Sequence, residues 1–355
     1  DEFVSHLANL GIEFPCDEKI VTSGNPLADP LHIDGLKIGN RFCILPMEGW
    51  DGTRDGKPTD LTRRRWHNFG LSGAKLMWGG EAVAVRSDGR ANPNQLMISA
   101  ENLADIESLR LELSKAHRAK FGMDDDLVVG LQLTHSGRYA RPNQKSVSEP
   151  RTVQRNPALD ARLGIDDGAA LFSDDELQEL VNDFIDAAVL AQQAGFQFVD
   201  IKHCHGYLGH ELLSGVDRAG QFGGSFENRT RFLRDIVEGI HSRAPGLMIG
   251  VRLSVFDFLP FQPGADRIGV ADPLGDQRFA FGSDVSGCEV DLSEPSKFME
   301  LLKSLGIKLV CTTAGSPYYN PHIQRPAYFP PSDGYKPPED PLVGVARQLR
   351  ATAEL

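Results

Sequence analysis

The chain repeats one junction three times. Ser72-Gly73-Ala74, Ala194-Gly195-Phe196 and Leu305-Gly306-Ile307 each stand between a stretch with helical apolar spacing and a short apolar run. A glycine at that point reads as a helix C-cap, because it takes left-handed backbone angles without a Cβ clash. The run that follows it reads as a buried strand. Helix, glycine and strand in repetition call for parallel strands joined by helical crossovers, since antiparallel strands need no such connection.

Six strands are expected on this pattern, over 41–46, 74–78, 127–133, 196–201, 247–253 and 307–312. Helices are expected over 60–73, 101–121, 173–194, 227–243, 294–305 and 342–354, the third opening on a Ser173…Glu176 capping box. Residues 31–38 read as a small hairpin turning at Asp34-Gly35. Residues 136–172 read as a long polar loop and 256–293 as an insertion of mixed polarity. In the proline- and aromatic-rich stretch 316–341, Tyr318, Tyr319 and Tyr328 either cover a site mouth or pack on the fold. No GxGxxG follows the first strand, which weighs against a Rossmann start. Reactive residues at several strand ends favour an α/β fold of the TIM (β/α)8 barrel type over a doubly wound sheet. Eight strands close such a barrel and six are found. The expectation is therefore a barrel apparently truncated after about the sixth βα unit, with residues 1–30 as an N-terminal arm and 31–355 as one barrel domain.

Composition narrows the function classes. The net charge of -12 lacks the basic footprint of a nucleic-acid binder. The five cysteines, Cys16, Cys43, Cys204, Cys288 and Cys311, lie far apart with no CxxC pair. That spacing disfavours a disulfide framework, a structural zinc site and an iron–sulfur cluster, and fits reduced thiols in a cytoplasmic protein. No apolar run reaches the roughly 18–20 residues of a membrane span, and no signal peptide is evident at the start. The expected partner is a small-molecule substrate, with no nucleic acid and no membrane; a homo-oligomer stays open.

The chemistry concentrates after the fourth strand. The apolar run 196–201 stops at Lys202-His203-Cys204-His205-Gly206-Tyr207, and a glycine-rich loop at 220–224 leads into a helix. In α/β folds ligands bind outside the carboxyl ends of strands. Adjacent strand residues point to opposite faces, so the run is not read as a metal site. His203 is expected to face away and Cys204 to be a small core residue. Arg63-Arg64-Arg65 reads as a solvated helix face. His135 either shapes a site or braces a loop. Gln132 and Arg252, inside apolar strands, need partners if buried, which a bound polar group or an internal ion pair would supply.

Several short stretches point the same way. Asn40-Arg41 precedes a strand ending Pro46-Met47; Glu81-Ala82-Val83-Ala84-Val85 is followed by Gly89-Arg90; the third strand ends Gln132-Leu133-Thr134-His135-Ser136-Gly137-Arg138. His205-Gly206-Tyr207-Leu208, Gly223-Gly224-Ser225-Phe226-Glu227-Asn228-Arg229 and Gly250-Val251-Arg252 complete the set. Together, over about residues 25 to 320, this resembles the Old Yellow Enzyme family of FMN-dependent ene-reductases, including its dienoyl-CoA-reductase-like branch. The resemblance implies FMN at the C-terminal face of the barrel, reduced by NADH or NADPH, and hydride transfer to an activated alkene. It implies that Pro46, Met47 and Glu48 line the flavin edge, that Ala82 packs near the ring, and that Gln132 bonds its pyrimidine edge. It further implies that Arg252 places positive charge beside the reduced flavin, that Lys202 and His205 hold the substrate oxygen, and that Tyr207 donates the proton.

Elementary chemistry agrees, because hydride addition to an enone builds charge on oxygen and needs waiting donors, then an acid near the other carbon. Three departures stand out. Lys202 replaces a usual histidine, which suggests an anionic or more polar substrate. Glu48 replaces a usual Thr or Cys, and a carboxylate beside the flavin would resist its reduction unless it points away or is protonated. Nothing after Tyr319 matches the family's phosphate-holding strands. The alternatives are flavin-dependent amine oxidation or demethylation, and a catalytically silent remnant without flavin.

Overall fold

The computed structural model describes residues 2–14, 19, 21–22, 24–166, 168–272, 280–328 and 334–355. In chain order these form α1 (Glu2–Asn9), the strands β1 (Leu31–Ile33), β2 (Leu36–Ile38) and β3 (Cys43–Ile44), then α2 (Asp60–Leu71). The strands β4 (Leu76–Met77) and β5 (Ala82–Ala84) lead to α3 (Leu103–Phe121), β6 (Val128–Thr134), α4 (Pro157–Leu163), α5 (Asp174–Gln193) and β7 (Phe198–Ile201). After them come α6 (Leu208–Leu213), α7 (Phe226–Arg229), α8 (Arg231–Arg243), β8 (Met248–Ser254), β9 (Phe261–Pro263) and β10 (Gly269–Ala271). The last elements are α9 (Ser293–Ser304), β11 (Leu309–Thr313), α10 (Pro321–Gln324) and α11 (Pro341–Glu354).

All pairings of the main sheet are parallel, in the order β11-β8-β7-β6-β4-β3, with β5 also beside β6. β4 and β5 are two halves of one wall position. Leu76 and Met77 pair with Val128 and Val129, and Ala82 to Ala84 resume on Gln132 to Thr134. The break falls at Gly79 and Gly80, where a Cβ on Gly79 would come within 2.9 Å of the Gln132 backbone. The sheet thus has six wall positions, with β3 and β11 as its edges among the described residues. The three junction glycines, Gly73, Gly195 and Gly306, all have positive φ (85°, 78° and 76°), as a left-handed helix cap requires.

Side chains alternate across the wall. Val129, Leu131 and Leu133 of β6, Val199 and Ile201 of β7, and Ile249, Val251 and Leu253 of β8 face the helices in one core. Ser173 caps α5 as its sequence promises, accepting from the Glu176 amide while Glu176 accepts from the Ser173 amide. The opposite face points into the barrel. There Val128, Phe198 and Leu309, each the first residue of its strand, pack with Trp78 against Leu31, Ile33, Leu36 and Ile38 of the β1–β2 hairpin. Burying a side chain of this size contributes up to about 2 kcal/mol, so the hairpin is a firm plug at the N-terminal end. The C-terminal end is left for the site.

Several expectations change. The loop 136–172 contains α4, capped by Asn156 with Pro157 at its first position. The expected helix 227–243 is interrupted at Thr230, and α6 follows β7 directly. The insertion 256–293 carries the antiparallel pair β9–β10, while 273–279 lie outside the described residues, as does Cys16. Arg63-Arg64-Arg65 is not a solvated face throughout: Arg65 reaches inward to the buried Glu81 at 2.7 Å and to Asp51 at 2.9 Å. The N-terminal arm begins with a docked helix, Leu7 and Ile12 packing with Ala346 of α11. Among the described residues no helix is long and apolar enough to cross a membrane.

Candidate active site

Pro46, Met47, Glu48, Ala82, Gln132, Lys202, His205, Tyr207 and Arg252 all line one cleft of ≈ 630 Å³, together with Trp50, Tyr318 and Arg325. Pro46, Met47 and Glu48 follow β3, Ala82 opens β5, Gln132 and Arg252 lie in the carboxyl-terminal halves of β6 and β8, and Lys202, His205 and Tyr207 follow β7.

The floor is built on Asp200, buried inside the barrel on β7. Its carboxylate accepts from Gln132 Nε2 at 2.5 Å, from Trp78 Nε1 at 2.9 Å and from the Arg252 backbone amide at 2.7 Å. Burial pushes its pKa up, while these three donors pull it back. Gln132 therefore has an internal partner, and the Arg252 guanidinium donates from Nη1 to the Pro46 carbonyl at 3.3 Å. Arg252 Nε is buried with no hydrogen-bond partner. A buried N–H left unpaired costs about 1–3 kcal/mol, which marks the position as one that a ligand acceptor would relieve.

The wall is built on Glu48. Its Oε1 lies 3.1 Å from Lys202 Nζ, and its Oε2 accepts from the Tyr207 hydroxyl at 2.7 Å and from Trp50 Nε1 at 3.1 Å. The carboxylate thus points away from the floor, towards the donors of the wall. Lys202 Nζ also sits 3.5 Å from the centroid of the Tyr207 ring. The Tyr207 and Tyr318 hydroxyls are 3.0 Å apart, and Tyr318 stacks on Tyr139 with ring centroids 4.0 Å apart. Burial first, then the Glu48 charge, holds the Tyr207 phenol well above its ordinary pKa. Tyr207 is accordingly a neutral phenol at neutral pH.

His205 occupies an unusual backbone position, with φ 65° ahead of Gly206 at 76°. A non-glycine residue in this region is uncommon and places the ring by force of the surrounding bonds. The His205 amide donates to Ser254 Oγ, Ser316 Oγ donates to the His205 carbonyl at 2.9 Å, and the ring Nε2 is 3.4 Å from Thr313 Oγ1. Burial, with the Arg252 and Lys202 charges behind it, depresses the imidazole pKa well below 6.5, so the ring is neutral.

Apart from Tyr318, the remaining sequence candidates fall outside the cleft. His203 faces away, its Nδ1 on the Ile201 carbonyl, and its ring lies 6.0 Å from that of Phe298. Cys204 is buried, and Cys43, Cys204, Cys288 and Cys311 are free thiols. His135 braces its loop: Nδ1 accepts from the Gly137 amide and Nε2 lies 3.4 Å from Asp88. Of the three tyrosines left open by sequence, Tyr318 lines the cleft, Tyr319 is buried and donates to Asp257, and Tyr328 is exposed. Trp50 and Arg325 carried no sequence signal beyond Trp50's nearness to Glu48. Among the described residues no cluster of His, Cys, Asp and Glu could hold a metal ion.

Comparison with known proteins bears on the family and the fold. The chain is 31% identical over 259 residues to an NADH:flavin oxidoreductase of Gibberella zeae, covering 68% of this chain and 59% of that protein. It is 30% identical over 239 residues to an NADPH dehydrogenase of Bacillus cytotoxicus, covering 66% and 63%. The chain thus spans less than two thirds of the length of these two relatives. Solved structures with the same fold include an Old Yellow Enzyme homologue from Zymomonas mobilis (TM-score 0.57, 22% identity) and morphinone reductase in complex with tetrahydroNAD (0.58, 20%). Each comparison covers 82% of this chain and 74% of the other, and shows that the parallel wall is of the TIM-barrel type. The family profile of NADH:flavin oxidoreductases and NADH oxidases matches residues 26–300. The chain therefore belongs to the NADH:flavin oxidoreductase / NADH oxidase family.

Proposed function

We propose that this chain is an FMN-dependent oxidoreductase of the ene-reductase type, using NADH or NADPH to reduce an alkene conjugated to a carbonyl or similar acceptor. The observation that carries the reading is the unpartnered Arg252 Nε on the floor of a cleft that gathers all nine expected residues. An aromatic ring system with acceptor atoms along one edge fits that floor: Arg252 and Gln132 offer donors, Pro46 and Met47 line the edge, and Ala82 leaves room beside the ring. FMN, when bound, supplies two-electron storage between the nicotinamide and the alkene.

The chain's own groups supply the rest. The Arg252 guanidinium fixes positive charge where negative charge would grow, without reorganising at the moment of reaction. Lys202 and the neutral His205 stand as donors for a substrate oxygen. Tyr207 holds a transferable proton, now directed at Glu48 Oε2. The aromatic side chains of Trp50 and Tyr318 line the cleft and give an apolar substrate a surface. The acidic balance and free thiols accord with a cytoplasmic enzyme acting on small molecules, organised as one barrel unit over residues 31–355.

The test is the visible absorption spectrum of the purified chain before and after adding FMN, followed by anaerobic NADH or NADPH. A bound flavin band that bleaches with reductant, and returns when an enone is added, is the expected result. Failure to bind FMN would overturn the proposal and favour a silent remnant. Bleaching of the oxidised band by an N-methyl amine without any nicotinamide, with no return of the band on adding an enone, would favour amine chemistry.

A further inference from the structure

The two residues that depart from the family pattern at the wall, Glu48 and Lys202, are each other's partners. Their side chains are 8% and 7% exposed, and their charged atoms are 3.1 Å apart. Glu48 is also anchored by the Tyr207 hydroxyl and the Trp50 indole, so it is held in place from three sides. The lysine that sequence alone assigns to an anionic substrate is therefore already neutralised by a carboxylate of the chain itself.

We infer that Glu48 is a specificity-determining residue, holding the Lys202 ammonium so that the site admits uncharged carbonyl-bearing substrates and discriminates against carboxylates. This rests on the reading that the cleft binds substrate. A ligand carboxylate brought to Lys202 and Tyr207 would stand beside the buried Glu48 carboxylate, and like charges in contact there are strongly unfavourable. Displacing Glu48 would instead break a buried pair and leave a charge unmatched. A neutral carbonyl or amide meets neither obstacle and can accept from a remaining Lys202 N–H, since an ammonium carries three donors. The other groups facing this end do not reverse the balance. His205 is neutral, Tyr207 and Tyr318 are phenols, and Arg252 lies on the floor against the Pro46 carbonyl. Arg325, directly after α10, lines the same cleft.

The test is isothermal titration calorimetry of the FMN-reconstituted chain at pH 7.5 with cinnamate and with cinnamamide, which differ in charge more than in shape. The wild type is expected to bind cinnamamide tighter by about tenfold or more. Glu48→Gln should bring the two affinities together or invert their order, while Glu48→Asp, which keeps the charge, should retain the preference. Equal affinity of the wild type for both ligands would overturn the inference. So would Glu48→Gln keeping the wild-type ratio with a native melting transition, or neither ligand binding. The wild-type ratio needs no variant, so misfolding of Glu48→Gln does not shield the claim. Flavin content is read separately from the visible absorbance of the same sample. A chain that holds no FMN yet keeps the ratio would overturn the proposed activity and not this discrimination.

Discussion

Glu48 and Lys202 lie 154 residues apart in the chain and meet at 3.1 Å with almost no exposure to solvent. Removing one partner from such a pair is far more costly than removing both, because the survivor keeps its desolvation penalty without its compensation. Lys202→Met should therefore lower stability by about 3 kcal/mol. The double variant Lys202→Met with Glu48→Gln should recover most of that loss. Urea unfolding of the four chains of the cycle measures it; a double variant as unstable as the single would contradict the pairing.

Arg252 is expected to govern cofactor affinity. Replacing it by Met removes a fixed charge and the unpartnered Nε–H, and a hydrogen bond to a charged group is worth about 1.5–3 kcal/mol. FMN affinity, followed by quenching of flavin fluorescence, should fall by roughly ten- to a hundredfold. Unchanged affinity would place the flavin elsewhere.

Tyr207→Phe should separate the two half-reactions. Flavin reduction by the nicotinamide does not need this phenol, and its rate should stay as in the wild type. Reoxidation by an enone should slow by about a hundredfold or more, the usual contribution of a positioned acid. Stopped-flow absorbance resolves the two steps.

His203 predicts an acid-sensitive term in stability. Burial lowers its pKa from 6.5 to about 4. The unfolded chain then binds the proton first, so this contribution is full above pH 6.5 and is lost as pH falls from 6.5 towards 4. Asp257, raised by burial to about 6, works in the opposite sense over part of that range. A comparison of variants is therefore needed. His203→Gln should lose less stability than the wild type between pH 7 and pH 4.5; equal losses would show that His203 does not stay neutral in the fold.

Gly130 tests the barrel interior. A Cβ there would come within 2.3 Å of the Phe198 ring, which is itself fully buried. Gly130→Ala should cost about 1–3 kcal/mol by overpacking, visible as a lower melting temperature. Gly306→Ala, with open space around it but positive φ, should cost less, since only the backbone angle is strained.

Much of the fold was legible because the information was local. The glycine after each of three helices, the capping box at Ser173 and the apolar runs each report on a few neighbouring residues. The cleft was legible because its members sit at strand ends, where sequence order maps onto spatial order. What escaped was relational. Glu48 and Lys202 read as two separate departures, since nothing in either stretch says that the other is its partner. Arg65 looked like its two neighbours, yet it alone turns inward to Glu81 and Asp51. The break between β4 and β5 was read as one strand running into a motif, because both halves are apolar and only pairing with β6 separates them. α4 and α6 were hidden by length: a helix of six or seven residues has too few turns for its periodicity to show.

The bonds converging on Asp200 divide the site into two mechanical parts. Trp78, Gln132 and the Arg252 amide tie three wall strands to one carboxylate on a fourth, so the floor is cross-braced as a single plate. Trp50 and Tyr318 hang from loops beyond it, anchored mainly through Glu48, Tyr207 and Tyr139. Substitutions in those loops can reshape what the cleft accepts without disturbing the plate beneath. Redesign for a new substrate should accordingly begin at the rim and leave Asp200 and its three donors alone.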